Sequence, residues 1–178
     1  ENLVELDGSQ NKKRLGANSI LAVSLACAKA SSNLLNIPLY KYIGGIHNSL
    51  PTPMMNIMNG GCHSSNNLDF QEFMIIPANF KTFKDSLRAG CEIFHSLKNI
   101  LLRKNYSTSV GDEGGFAPNI SSNKECLNLI MNAIEESNYK PGEDIFIALD
   151  IAASEFFSNK KYNLSGESLS LDSDGLIK

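Results

Sequence analysis

From Thr82 to Lys104 apolar residues recur at helical spacing, and no other feature limits the fold of this chain as much. Phe83, Leu87, Cys91, Phe94, Leu97 and Leu101 fall on one stripe, with Thr82 placed to cap the first turn. A helix of this kind must lay its stripe on another layer. Ser122-Asn-Lys-Glu125 has the pattern of a capping box and predicts a second helix with Leu127, Ile130 and Ile134 inward, ending near Ser137-Asn138 ahead of Pro141-Gly142. The partners on offer are three short apolar runs: Met54 to Met58, Phe70 to Ile76 stopped by Pro77, and Phe146 to Leu149 ending on Asp150. The order from Met54 is therefore strand, strand, helix, helix, strand, and the last run reads as a strand of a sheet covered on both faces.

The flanks are different. Leu15 to Leu35 is rich in Ala, Ser and Leu, with Leu21, Leu25 and Ala28 at helical spacing, and predicts a closely packed, mostly buried helix. Pro38 ends it, and Leu39 to Ile43 before Gly44-Gly45 suits a short second helix. His47 to Pro53, with two prolines, reads as a linker, and a polar hairpin is expected around Tyr162 to Leu171.

A length of 178 residues suffices for one sizeable core or parts of two domains. A net charge of −3 leaves no nucleic-acid footprint, so no nucleic-acid partner is expected. The longest mostly apolar run, Ile20 to Ala30, is broken by Ser24 and Lys29 and is too short to span a bilayer. Four cysteines (Cys27, Cys62, Cys91, Cys126) form no CxxC pair and no zinc spacing, which suits a reduced cytoplasmic setting. The chain opens on Glu1 without an initiator Met or targeting peptide, and is expected to be a fragment.

The chemistry-bearing stretch is Gly111-Asp-Glu-Gly-Gly115. Its glycines let the backbone bend tightly around two carboxylates, as in a loop that aims a general acid or a metal ligand; an acidic solvated turn has the same composition. His63, Glu72, Glu113 and Asp150 all sit beside expected strands, the position that carries chemistry in a βα barrel. Cys62 next to His63 raises a thiol–imidazole site, although sequence neighbours seldom form a productive dyad.

Several segments in order decide between these readings: Leu6-Asp7-Gly8 with Leu15-Gly-Ala-Asn18; Pro53 to Gly61; His63; Gln71-Glu-Phe-Met74; Gly111 to Gly115 with Ala117-Pro118-Asn119; and Leu149-Asp150 with Ala153 to Phe156. Together they resemble the enolases, most nearly the bacterial type, over essentially the whole chain. The resemblance implies an α/β fold. Residues 1–48 correspond to the C-terminal part of the family's α+β N-terminal domain, and 49–178 to the first part of its modified βα (TIM-like) barrel, which is incomplete here.

The resemblance further implies reversible dehydration of 2-phosphoglycerate to phosphoenolpyruvate, with Mg²⁺ as cofactor. Glu113 matches the proton donor to the departing hydroxyl, and its pKa is expected to be raised by burial or a neighbouring carboxylate. Glu72 matches the neighbour that contacts the same hydroxyl. His63 and Gln71 match substrate-contacting positions, and Asp150 the first of three carboxylate ligands to the metal. Asp112 is read as loop-shaping, Ser154 and Glu155 as capping after the strand, and His47 and His95 have no matched role. Ile151 is bulkier than the family pattern after the metal-binding Asp.

The remaining Mg²⁺ carboxylates, the base Lys, the phosphate-binding Arg and the mobile serine loop have no match within these residues. The chain alone is therefore expected to be inactive. A homodimer or higher homo-oligomer, and a cell-surface or secreted pool beside the cytoplasmic one, are further implications of the resemblance. The competing reading is a remnant that acts as a surface or partner-binding protein. Another lyase or racemase of the same superfamily is not expected to keep both the His63-to-Glu72 segment and the 111–115 loop.

Overall fold

The computed structural model describes residues 1–46 and 49–177. They fall into two compact units, within Glu1–Leu50 and within Pro51–Lys178. His47 and Asn48, where the linker begins and the expected domain boundary lies, are outside the described residues, as is Lys178.

The first unit is helical. A short α1 (Asn2–Asp7), which periodicity does not announce, closes on Gly8 in the left-handed region. Asp7 is buried; its carboxylate accepts the backbone N–H groups of Ser9 and Leu15, and Arg14 Nε donates to its carbonyl. These bonds fold the 8–16 segment back over the end of α1. Helix α2 (Ala17–Leu34) packs on α3 (Leu39–Gly44), both close to their expected limits. The expected burial of α2 is not found: Leu21 is 56% exposed, Val23 and Leu25 are also exposed, and Ser32 alone of the helix is buried. Within this unit only α3 packs on it to any extent, so small residues around its circumference find few partners.

In the second unit, β1 (Met55–Asn59), β2 (Glu72–Pro77) and β3 (Ile145–Asp150) form an antiparallel sheet in the order β1-β2-β3. Pro77 is the last residue of β2, where its missing N–H costs the ladder little. Helix α4 (Phe83–Arg103) lies against β2 and against α5 (Asn123–Glu136). Thr82 Oγ1 accepts the Asp85 N–H at 3.1 Å and Ser122 Oγ accepts the Glu125 N–H at 3.1 Å, so both predicted caps form. The reciprocal half of the capping box does not, because the Glu125 carboxylate lies 3.7 Å from Lys104 Nζ instead.

The buried face of α4 is rotated from the expected stripe. Ala89, Gly90, Ile93, Leu97, Ile100 and Leu101 are inside, whereas Phe83, Leu87 and Cys91 are exposed. The small residues let the helix approach β1 so closely that a Cβ on Gly90 would overlap the Met55 side chain. On α5, Ile130 and Ile134 are buried and Leu127 packs half-buried against the same core, as expected, joined by Cys126, Leu129 and Ala133. Burial also raises the pKa of the Cys126 thiol, leaving it an inert core group.

Strand β3 is not covered on both faces, since Phe146 is 40% exposed and Leu149 is also exposed. The chain then makes a short 3₁₀ turn (Ala153–Phe156), followed by the small antiparallel sheet β4 (Phe157–Ser158), β5 (Lys161–Leu164) and β6 (Leu169–Leu171), and α6 (Ser173–Ile177). The expected hairpin is β5–β6. Among the described residues the strands close no barrel. The fold is α/β, an incomplete βα barrel after a helical segment.

Candidate functional site

The sheet aligns three polar residues across one end. Asn59 closes β1, Glu72 opens β2 and Asp150 closes β3; Glu72 is the register partner of both others. Cross-strand neighbours on an antiparallel pair lie close enough for their side chains to interact, so pairing alone assembles an acidic strip.

Two loops complete the strip. The first leaves β1 at Gly60 and carries His63. It is held by Asn66, whose Nδ2 donates to the Asn59 carbonyl at 2.9 Å and the Pro118 carbonyl at 3.0 Å. Asn67 clamps Ile120, donating to its carbonyl at 2.8 Å and accepting its N–H at 2.9 Å.

The second loop is 111–115. Beyond it, the Phe116 N–H donates to the Ile57 carbonyl and the Phe116 carbonyl accepts the Asn59 N–H, each at 2.9 Å, which sews the loop to β1. Phe116 is buried and stacks on Phe94 of α4 with ring centroids 4.3 Å apart. Only Gly114 of the loop needs the left-handed region, at φ 84°. Gly111 and Gly115 are required by contact instead: a Cβ on Gly111 would lie 2.7 Å from the His63 carbonyl, and one on Gly115 would overlap the Asn59 amide.

These elements bring His63, Glu72 and Glu113 together, with one ligating atom of each within 4.8 Å of the others. His63 Nδ1 is 3.5 Å from Glu72 Oε1 and 3.7 Å from Glu113 Oε1, within ion-pair range but beyond a good hydrogen bond. The two carboxyls lie within 4.8 Å of each other, and a hydrogen bond between them shifts the two in opposite directions. That bond to Glu113, then burial, then the charges of Glu113 and Asp150 push Glu72 above the usual glutamate range. Glu113 is held below that range, first by the Glu72 hydrogen bond and then by Asn56, whose Nδ2 donates to Glu113 Oε2 at 3.4 Å. The raised pKa expected at Glu113 thus falls on Glu72. The reason is position: the Glu72 side chain is 14% exposed and faces two further carboxylates, whereas that of Glu113 is 45% exposed.

Asp150 joins this group from the strand end. Its Oδ1 accepts the Ala152 N–H at 3.0 Å and its Oδ2 accepts Gln71 Nε2 at 3.4 Å. Ala152 itself sits in the left-handed region at φ 48°, a strained conformation for a residue with a Cβ. Gln71 also accepts the Cys62 thiol at 2.8 Å, so Cys62 is turned to Gln71 while His63 Nδ1 faces the carboxylates. Asp112 shapes the loop through its backbone, its N–H donating to the His63 carbonyl at 3.1 Å. Neither Ser154 nor Glu155 caps the turn after β3, which has no side-chain cap. His95 lies on the exposed side of α4 with its ring edge-on to Phe94.

Two residues at the site escape sequence reasoning, Asn56 and Asn59. Strand alternation would send residues three apart to opposite faces. The β1–β2 register slips between Asn56 and Met58, and both asparagines meet the 111–115 loop.

A divalent ion has two sets of donors available. The His63–Glu72–Glu113 group is compact, but a metal there would compete with the protonated form that the neighbouring charges favour at Glu72. Asp150 offers an exposed carboxylate whose Oδ2 has only a long hydrogen bond, and all-oxygen ligation suits a hard cation. Asp150 fits as one ligand. No described helix is long and apolar enough to cross a membrane.

Two adjacent carboxyls beside an imidazole, with a third carboxylate at the next strand end, are chemically suited to proton transfer beside a hard cation. Two family models match the chain. The model "Enolase, C-terminal TIM barrel domain" matches residues 47–177, and "Enolase, N-terminal domain" matches residues 1–43. With the first match alone spanning well over half of its residues, this chain belongs to the enolase family.

Proposed function

We propose that this chain carries part of the machinery that reversibly dehydrates 2-phosphoglycerate to phosphoenolpyruvate, a lyase reaction of glycolysis carried out in the cytoplasm. The observation that carries the reading is the gathering of Glu72 and Glu113 around His63, whose Nδ1 lies 3.5 Å from the first and 3.7 Å from the second. Dehydration needs an acid for a poor leaving group, hydroxide, at a pH where an isolated glutamate is already ionised. Ionising Glu72 would set its charge beside those of Glu113 and Asp150, which favours its protonated form and raises its pKa. The donor is then the pair: Glu113 presents the more exposed carboxyl to the departing hydroxyl and Glu72 holds the proton in reserve across their hydrogen bond. His63 and Gln71 line the same end of the sheet as substrate contacts.

Asp150 would hold Mg²⁺ as one of its ligands. The bound cation would supply positive charge beside the substrate carboxylate, where removal of the neighbouring proton places a second negative charge. The domains are read as residues 1–48 and 49–178, and the working assembly as a homodimer or larger. The residues here offer no match to the family's base Lys, so on this reading they do not turn over substrate by themselves.

The test is Mg²⁺-dependent formation of phosphoenolpyruvate from 2-phosphoglycerate by the full protein. Glu113→Gln is expected to lower kcat by about 10²–10⁴-fold. An unchanged kcat would remove the pair from the mechanism, and measurable dehydration by residues 1–178 alone would overturn their expected inactivity.

A further inference from the structure

The Asn59 side chain is fully buried, yet neither its Oδ1 nor its Nδ2 is hydrogen-bonded. Its backbone groups account for the local ladder without it: the N–H donates to Phe116 and the carbonyl accepts Asn66. A buried amide with no partner is destabilising, and an apolar side chain of similar volume fills such a place at less cost. Something other than stability has to explain an amide here.

Its neighbours suggest what. A Cβ on Gly111 would lie 2.9 Å from Asn59 Cβ and 3.0 Å from Cγ, and one on Gly115 would overlap Oδ1. Both ends of the loop that presents Glu113 therefore rest on one carboxamide. A planar amide is thinner than a branched alkyl group and lets the two glycines come this close. The register slip in β1 turns Asn59 to the same loop as Asn56, which holds the Glu113 carboxylate directly.

We propose that Asn59 is a positioning residue for the proton-donating loop: its flat carboxamide sets the height of residues 111–115 above the sheet, and so the reach of Glu113 toward Glu72 and the leaving hydroxyl. This rests on the dehydration reading for its catalytic consequence, but the loop geometry can be tested without it.

Asn59→Leu in the full protein separates positioning from filling. The melting temperature is expected to hold or rise, kcat to fall by about 10- to 100-fold, and KM to stay within about threefold, as misplacement of an acid requires. A cooperative N59L protein with unchanged kcat overturns the proposal. If N59L does not fold, Asn59→Ala, which withdraws support from under the loop, is expected to show the same split, and unchanged kcat in that variant overturns it equally. If the unsubstituted protein fails to dehydrate 2-phosphoglycerate, that failure belongs to the functional reading. Amide exchange at Gly114 to Phe116 and the response of the Glu113 carboxyl carbon signal to Glu72→Gln then decide: faster exchange and a lost response in the Asn59 variants support positioning, and no change in either refutes it.

Discussion

At the scale of single residues the site is a problem in where one proton resides. Glu72 has a raised pKa because it donates to Glu113, is partly buried and faces Asp150; Glu113 has a lowered one because it accepts from Glu72 and Asn56. The native state therefore favours protonated Glu72, so its contribution to stability is present at low pH and is lost as pH rises through its raised folded pKa. Glu113 acts in the opposite sense, its contribution being present above the ordinary glutamate range and lost as pH falls through its lowered value. Glu72→Gln keeps a hydrogen-bond donor toward Glu113 and removes the titration. The melting temperature of E72Q relative to the parent is accordingly expected to rise between about pH 4 and about pH 8. Thermal melts across that range check it, and a difference that does not change with pH would show that the two carboxyls are not coupled in solution. The acidic members of this pair were legible in the sequence because they stand in glycine-flanked and strand-end positions. Which of them has the raised pKa was not, because that depends on their contact with each other, on burial and on Asp150, a cross-strand neighbour 78 positions away in the chain.

At the scale of elements, the sequence located β1, β2, β3, α4 and α5 to within a residue or two but did not announce β4 or α6, and it failed on the rotation of α4. Phe83, Leu87 and Cys91 are spaced as well for burial as Ala89, Ile93 and Ile100 are, and hydrophobicity alone favours the larger set. The decision belongs to shape: Gly90 and Ala89 admit the Met55 side chain and α4 settles on that side. Ile93→Ala is therefore expected to cost about 2–5 kcal/mol, whereas Leu87→Ala, at a half-exposed position, should cost under about 1 kcal/mol. Urea denaturation of both variants measures this, and similar losses would restore the stripe read from periodicity. The same limit hid Asn56 and Asn59. A strand signal has a period of 2, and a bulge is a local break in that period that no composition announces.

At the scale of the whole molecule, the two units differ in what they bury. Among the described residues every large fully buried side chain lies beyond residue 56, in a core built from β1, β2, α4, α5, the start of β3, and Phe116 and Ile120 of the segment between the two helices. In the first unit Asp7 and Ser32 alone are classed as buried among the described residues. Isolated helices of this length are marginal in water without an apolar face to pack. Residues 51–178 made alone are expected to unfold cooperatively in urea, and residues 1–50 alone to show little helical circular dichroism; stable helix in the shorter peptide would contradict the burial pattern.

One contact within the core has a consequence for heat. Because Phe116 is stacked between the Glu113 loop and Phe94 of α4, the loop is ordered by the same packing that holds the helix. Warming cannot free the Phe116 end of the loop while the core stays intact. The geometry of the loop and the fold should therefore fail at a common temperature, in a single step and not by gradual fading below the melting point.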